Sequence, residues 1–220
     1  MQAVIFDIDG TLLDSVDLHA QAWVAAFRHF GVETEEKAVR SQIGKGGDEL
    51  MPVFLPAERV EREGETIEGY RSDLFKRDYL DRVKPFPGVR ALFERIRAEG
   101  LTIALASSGK GPEVEHYQEI LGIADLVAVA TSSDDAERSK PHPDIFEAAL
   151  KKLALPAGKA VVVGDTPYDA QAAGKAGLAT VGVLCGGFPE ADLSRAGCIA
   201  IYRDPQDLLD GFDASPLARR

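Results

Sequence analysis

The sequence predicts an α/β fold, in which a parallel sheet carries helices on both faces and a helical segment is inserted near the start. From Leu101 onward, short apolar runs alternate with helical patterns, which is typical of successive βαβ units. Between Asp14 and Pro85 the pattern is helical and shows no strand signal. We therefore expect a core of residues 1–14 and 86–220, and an inserted helical subdomain of residues 15–85.

The elements of the core follow from apolar runs of strand length and from helical periodicity. Strands are predicted at residues 3–6, 101–106, 126–130, 160–163 and 179–183, with a weaker one at 198–202. Helices are predicted at 89–98, 112–121, 144–153 and 168–176. Gly122 and Gly177 follow the last periodic residues of their helices, where glycine commonly ends a helix.

The insertion contains two amphipathic stretches. Apolar residues recur at helical spacing from Val16 to Phe30, where Gly31 ends the pattern, and again from Ile67 to Tyr79. Prolines and a glycine at residues 84–88 mark the return to the core. An insertion that directly follows the first strand would cover the edge of the sheet like a lid.

The composition limits the classes of binding partner and the cellular compartment that we expect for this protein. The chain has 220 residues and is 45% hydrophobic, and its formal net charge is −11 without a dense lysine or arginine cluster. We therefore expect no nucleic acid and no membrane as partners. Cys185 and Cys198 lie in no C-x-x-C motif, which argues against zinc and a disulfide framework. A charged Asp7 interrupts the first apolar run, so we expect no signal peptide and a cytoplasmic protein.

Four aspartates stand where two predicted strands end. Asp7 and Asp9 follow the first strand, and Asp165 and Asp169 follow the strand at 160–163. Parallel sheets bind ligands at the carboxyl ends of their strands. If the two strands are neighbours, four carboxylates share one crevice, where like charges raise one another's pKa or require a cation. A hard divalent ion such as Mg²⁺ suits such oxygen ligands.

These aspartates belong to a set of motifs that resembles the haloacid dehalogenase superfamily. The four motifs occur in the order of that superfamily and are Asp7-x-Asp9-Gly10-Thr11, Ser107 after a strand, Lys140 in Ser139-Lys140-Pro141, and Gly164-Asp165-x-x-x-Asp169. The resemblance is closest to the subfamily that contains phosphoglycolate phosphatase and β-phosphoglucomutase. It implies a Rossmann-like core and identifies the insertion with that superfamily's helical cap of the C1 type.

The resemblance also implies catalytic roles. Asp7 would be the nucleophile that forms an aspartyl-phosphate, and Asp9 the acid that protonates the leaving group and then the base for water. Lys140 would offset the negative charge between Asp7 and the phosphoryl group. The chemistry agrees, since a carboxylate can attack phosphorus and two displacements need an acid that becomes a base.

The same resemblance implies a Mg²⁺ site. Asp165 would bind the ion with Asp7 and the backbone carbonyl of Asp9, while Asp169 would bind it directly or support the other ligands. The alternative for Asp165 is that it caps the helix that begins near Thr166.

Two serines are candidates for phosphate binding with Lys140. Ser107 would donate its hydroxyl to a phosphoryl oxygen, and Ser108 begins a stretch whose backbone amides suit an anion. The alternative is that Ser107 only begins a loop and that Lys140 is a solvated loop lysine.

In the insertion, His19 and the loop containing Lys45, Gly46 and Gly47 are candidates for substrate contact. His19 stands one turn into the first helix, where the mutase branch has a histidine that assists acid–base control. The alternatives are a packing histidine and an ordinary turn between helices.

The residues and the resemblance together predict a Mg²⁺-dependent phosphatase that acts on a small phosphorylated metabolite, as a monomer or weak homo-oligomer. A sugar phosphomutase of the β-phosphoglucomutase type is the first alternative, and a non-catalytic phosphometabolite-binding protein is the second. Thr11 stands where the mutase branch has valine, and the loop around Gly46 lacks the arginine that holds a distal phosphate there. Both features favour the phosphatase.

Overall fold

The structure of the chain, a computed structural model, describes residues 1–218. Its strands are β1 (Ala3–Phe6), β2 (Leu13–Asp14), β3 (Lys84–Pro85), β4 (Thr102–Ala106), β5 (Val129–Thr131), β6 (Ala160–Gly164), β7 (Ala179–Val183) and β8 (Cys198–Tyr202). Its α-helices are α1 (Val16–His29), α2 (Glu36–Arg40), α3 (Gly47–Leu50), α4 (Ala57–Asp78), α5 (Val89–Ala98), α6 (Gly111–Leu121), α7 (Asp144–Leu153), α8 (Pro167–Lys175), α9 (Glu190–Ala196) and α10 (Pro205–Asp210).

A six-stranded parallel sheet in the order β5-β4-β1-β6-β7-β8 forms the core, which confirms the predicted α/β fold. Strand β1 lies between β4 and β6, and Phe6 is paired with Val163 of β6. The strands that precede the two pairs of aspartates are therefore neighbours. Because their carboxyl ends meet at the same edge, Asp7 and Asp165 emerge side by side.

Strand β1 is buried on both faces, as expected for the middle of a parallel sheet. Its alternate residues enter different apolar clusters, since Val4 and Phe6 face one cluster and Ala3 and Ile5 face the other. The first cluster includes α5, α6 and α10, and the second includes α7 and α8. Helices thus cover both faces of the sheet, and the edge is left for the site.

The insertion has an apolar cluster of its own. Trp23 and Phe27 of α1 pack with Leu50 and with Ile67 of α4, and the ring centres of Trp23 and Phe27 lie 5.4 Å apart. Phe75 of α4 instead belongs to the larger cluster of the core. This separate cluster supports the division into a core and a cap at residues 15–85, which stays a prediction.

A two-stranded antiparallel ribbon, missed by the sequence analysis, joins the two ends of the insertion. Leu13 pairs with Pro85 and Asp14 with Lys84, so the chain enters and leaves the insertion side by side. The predicted strand at 126–130 was also displaced, since the structure has β5 at Val129–Thr131. The cause is a turn in which the Leu126 amide donates to the Ile123 carbonyl at 2.8 Å, although Leu126 still packs against the core.

Within residues 1–218, none of the helices has the length and apolar composition that a membrane-spanning segment needs. The longest helix, α4, has 22 residues and carries charged side chains along most of its length.

We predict that Phe93→Ala lowers the free energy of unfolding by about 3–5 kcal/mol, because it leaves a cavity beneath β1. Phe93 is fully buried and its ring centre lies 4.7 Å from that of Phe6. Urea titration followed by circular dichroism would measure the change. Ile199→Ala is the control, since Ile199 is 56% exposed and its loss should cost less than about 0.5 kcal/mol. A similar loss in both variants would contradict the assignment of the core.

Candidate active site

Three buried carboxylates meet at the carboxyl edge of the sheet. Oxygens of Asp7, Asp165 and Asp169 lie within 4.8 Å of one another. Asp7 directly follows β1, Asp165 directly follows β6, and Asp169 lies in the first turn of α8. Like charges at this distance repel strongly in a buried site, so the group requires positive charge beside it.

Lys140 supplies part of that charge. Its Nζ atom lies 2.5 Å from Asp7 Oδ1 and 2.8 Å from Asp169 Oδ1, and it donates to the Ala106 carbonyl at 3.1 Å. Burial by itself would lower the pKa of Lys140, but the carboxylates of Asp169 and Asp7 raise that pKa above its ordinary value. Lys140 is therefore a buried ammonium ion, unlike the solvated loop lysine that was the alternative.

The remaining negative charge shifts the pKa values of two aspartates. Burial raises the pKa of Asp7 to about 7, against the opposing effect of Lys140 and with a further rise from Asp169. Burial and the charges of Asp7 and Asp169 raise the pKa of Asp165 well above its usual range. The Thr11 hydroxyl lies 2.9 Å from Asp165 Oδ1 and 3.2 Å from Asp7 Oδ2, so it ties the two carboxylates together.

The second oxygen of Asp165 fits a cation. Oδ2 is buried and has no hydrogen-bond partner within residues 1–218. A Cβ atom added to Gly10 or Gly186 would lie 2.4 or 1.6 Å from this oxygen, so both positions require glycine. Leaving a buried carboxylate oxygen without a partner is costly, and a hard divalent cation would remove that cost. Asp7, Asp165 and Asp169 can therefore hold such an ion.

Asp169 fixes the start of α8. The Thr166 amide and hydroxyl donate to Asp169 Oδ2 at 3.0 and 2.7 Å, while the Asp169 amide donates to the Thr166 hydroxyl at 3.1 Å. This reciprocal pair is a capping box with Thr166 as the N-cap residue. The alternative in which Asp165 caps the helix is therefore wrong, and its carboxylate is left for the cluster.

Asp9 belongs to a second group of side chains. Its Oδ1 atom lies 2.9 Å from His19 Nε2 and accepts a hydrogen bond from Ser15 at 2.6 Å. Burial would raise the pKa of Asp9, but His19, together with Ser15, lowers it below the ordinary value. The ring of His19 also stacks on Phe75, with ring centres 4.0 Å apart. The histidine thus packs and contacts Asp9, and its part in catalysis stays a prediction.

The group around Asp9 extends into α6. The Tyr117 hydroxyl lies 3.3 Å from His19 Nε2 and donates to Glu113 Oε1 at 3.1 Å. Tyr117 and Glu113 are both buried, and the sequence analysis identified neither. Their positions in α6, one turn apart, indicated only an ordinary helix.

The two candidate serines differ in position. Ser108 lines a cavity above Asp7 and donates to the Gly44 carbonyl of the insertion at 3.4 Å. Ser107 is fully buried and accepts a hydrogen bond from the Gly109 amide at 3.0 Å, and it is not among the described residues that line the cavity. Phosphate binding by either serine remains a prediction, and the geometry favours Ser108.

The cavity has a volume of about 50 Å³ and lies between core and insertion. It is lined by Asp7, Asp9, His19, Trp23, Ile43, Gly44, Lys45, Gly46, Gly47, Arg71, Ser108, Gly109 and Glu113. The predicted loop with Lys45, Gly46 and Gly47 therefore faces the nucleophile candidate.

The sequence analysis did not identify Arg71. The signal for it was present, because Arg71 interrupts the apolar stripe of α4 between Ile67 and Leu74.

Comparison with known proteins identifies the family of the chain. The family model for haloacid dehalogenase-like hydrolases matches residues 4–183. A phosphoglycolate phosphatase of Yersinia pseudotuberculosis is 35% identical over 191 residues, which cover 84% of this chain and 82% of that protein. A phosphorylated carbohydrates phosphatase of Thermotoga maritima is 28% identical over 96% of this chain and 97% of that protein.

Among solved structures, a hydrolase from Pseudomonas syringae is similar over 97% of this chain and 99% of that chain, with a TM-score of 0.90 and 29% identity. These matches confirm the predicted family and the prediction of a phosphatase enzyme. The chain belongs to the haloacid dehalogenase-like hydrolase family.

Proposed function

We propose that the chain is a Mg²⁺-dependent phosphatase that hydrolyses a small phosphate monoester through an aspartyl-phosphate on Asp7. The observation that carries this proposal is the position of the Asp7 carboxylate. It lines the cavity, has one oxygen 2.5 Å from the buried Lys140 ammonium, and belongs to the cluster in which oxygens of Asp7, Asp165 and Asp169 lie within 4.8 Å of one another. A carboxylate so placed can attack phosphorus while positive charge balances the incoming anion.

Asp7 and Asp165, with the backbone carbonyl of Asp9, would hold Mg²⁺. When bound, the ion would supply positive charge to the phosphoryl oxygens and keep Asp7 ionised. Lys140 contacts Asp7 Oδ1 and, through Asp169, is fixed to the capped end of α8.

Asp9 would serve both displacements. In the first, Asp7 attacks phosphorus, the bond to the ester oxygen breaks, and Asp9 gives its proton to the leaving alcohol. A phosphoryl dianion beside Asp9 raises its pKa by charge repulsion, which favours the protonated acid at that stage. In the second, water attacks phosphorus and gives a proton to Asp9 while the bond between phosphorus and Asp7 breaks, so that inorganic phosphate leaves and the Asp7 carboxylate is regenerated. The lowered pKa of Asp9 keeps its carboxylate ionised and able to take that proton.

The small cavity supports a small substrate. Its volume of about 50 Å³ lies far below the roughly 300–1,000 Å³ of sites for drug-sized ligands. The relatives from Yersinia and Thermotoga are named for phosphoglycolate and for phosphorylated carbohydrates, both of which are small phosphate esters. We propose such a metabolite as the substrate, residues 15–85 as the cap over it, and the cytoplasm as the place of action.

Phosphate release with Mg²⁺, measured over a panel of phosphoglycolate, sugar phosphates and nucleotides, tests this function. Release from at least one small ester, abolished by chelation, is the expected result. Transfer to another carbon of a sugar without release of phosphate would support the mutase alternative instead.

We predict that Asp7→Asn lowers the rate of phosphate release by about 10⁴-fold or more, because the amide cannot form the acyl phosphate. Steady-state release of inorganic phosphate would measure the loss. Asp73→Asn is the control, since Asp73 is exposed on α4 and should retain full activity. Near-normal turnover by Asp7→Asn would rule out Asp7 as the nucleophile.

We predict that Gly186→Ala weakens Mg²⁺ binding about tenfold or more, because its Cβ atom would occupy the space at Asp165 Oδ2. The rise in melting temperature with Mg²⁺ concentration would measure the affinity. Gly174→Ala is the matched control, because Gly174 is exposed in α8 and an added Cβ meets nothing within 4 Å. Equal Mg²⁺ affinity in the two variants would contradict the site.

We predict that Mg²⁺ stabilises the protein more at pH 8 than at pH 5.5. In the metal-free protein the pKa of Asp7 is raised to about 7, so the folded state holds a proton that the unfolded state has lost. That contribution to stability is lost as pH rises from about 4 to about 7. A bound cation replaces the proton and restores the stability.

Melting temperatures with and without Mg²⁺ at both pH values would test this dependence. In Asp165→Asn, the rise in melting temperature caused by Mg²⁺ should differ less between pH 5.5 and pH 8, because the substitution removes one ligand and one carboxyl group with a raised pKa. A Mg²⁺ effect that is the same at pH 5.5 and pH 8 would be evidence against the cation site.

A further inference from the structure

We infer that Arg71 binds a second anionic group of the substrate, so that the enzyme selects short phosphate esters that carry a carboxylate or another anion over neutral ones. This inference rests on the proposed phosphatase function and adds the substrate class and the residue that recognises it.

Arg71 is placed to contact the substrate. It lies on α4 of the insertion and lines the same cavity as Asp7 and Asp9. Its guanidinium carbon lies 5.1 Å from the centre of the buried Trp23 ring, another residue of the cavity wall. A cation over an aromatic face is held in position, but the ring supplies no hydrogen-bond acceptor to the N–H groups.

The hydrogen-bonding capacity of Arg71 is unused. Its Nε atom is buried and has no hydrogen-bond partner, and Arg71 forms no ion pair with any residue from 1 to 218. By contrast, Arg77 on the same helix pairs with Asp78 at 2.7 Å. A buried guanidinium N–H without an acceptor costs free energy. A ligand that supplies an acceptor would remove this cost and therefore bind more tightly.

The other cations of the site already have partners. Lys140 contacts both Asp7 and Asp169. Lys45 Nζ donates to Gln42 at 2.7 Å and lies 4.7 Å from the centre of the Tyr168 ring. Among the described residues, Arg71 is thus the cation of the cavity whose N–H donors have no acceptor and are available to a ligand.

The charge of the cavity explains why an anion needs Arg71. Asp7, Asp9 and Glu113 all line it, so a second negative group on the substrate would be repelled by carboxylates in the absence of a local cation. The planar guanidinium binds carboxylate and phosphate oxygens in pairs, which suits both anions.

Two substrates that differ in one group test the inference. Phosphoglycolate carries a carboxylate, and 2-hydroxyethyl phosphate has a neutral hydroxymethyl group in its place. We expect the wild-type kcat/KM to favour phosphoglycolate, and Arg71→Met to lower that value by about 10–100-fold, mainly through KM, since bonds to charged groups are worth about 1.5–3 kcal/mol. Arg71→Met should change the value for 2-hydroxyethyl phosphate less than about threefold.

Arg71→Lys should restore part of the preference, because it keeps the charge but not the paired donors. Arg77→Met, on the same helix and away from the cavity, is the control and should match wild type. Ethane-1,2-diyl bisphosphate in the same assay identifies the anion. If Arg71→Met loses more kcat/KM with phosphoglycolate, the group bound by Arg71 is a carboxylate. If it loses more with the bisphosphate, the group is a phosphate.

Equal losses of kcat/KM for the neutral and the anionic ester in Arg71→Met would overturn the inference. Arg71 would then contact the transferred phosphoryl group or contribute to folding. Wild-type enzyme without preference for the anionic ester would also overturn it. Calorimetric binding of both esters to Asp7→Asn separates this inference from the proposed function. If turnover fails but phosphoglycolate still binds more tightly in an Arg71-dependent way, the function is wrong and the recognition stands.

Discussion

The contact of the buried Lys140 ammonium with Asp7 and Asp169 is the constraint on which the rest of the site depends. Removing one charge from such a group would leave the others buried without compensation, at a cost of several kcal/mol. This group of charges therefore constrains which strands and which residues can lie next to it. Strands β1 and β6 must be adjacent to bring their carboxyl ends together, and the residues that approach Asp165 must be glycines.

The same charges also connect the core to the insertion. Asp169 caps α8 through Thr166, and the side chain of Thr166 packs so closely against Gly44 that a Cβ atom there would lie 2.6 Å from it. The amide of Ser139, the residue before Lys140, donates to Asp48 of the insertion at 2.9 Å. The position of the insertion is thus coupled to the residues that neutralise the nucleophile.

Prediction from sequence succeeded where a pattern repeats along the chain. Apolar runs located the strands of the core, whereas the adjacency of β1 and β6, which brings Asp7 beside Asp165, was only a condition of the sequence analysis and is supplied by the structure. The ribbon of β2 and β3 was missed because two residues have no periodicity. Arg71 interrupts the apolar stripe of α4, but it was missed because the spacing does not show that this face of α4 lines a cavity shared with the core.

Core and insertion contribute different chemistry to one cavity. The core supplies Asp7 and Lys140, which would act on any phosphate ester, whereas the insertion supplies His19, which contacts Asp9, and Arg71, which lines the cavity and would bind a second anionic group. His19 lies on α1 and stacks on Phe75 of α4, the helix that carries Arg71. An anion that binds Arg71 would hold α4 against the cavity, and through Phe75 it would keep His19 on Asp9. Recognition of the substrate and control of the proton on Asp9 would then depend on the same packed pair of helices.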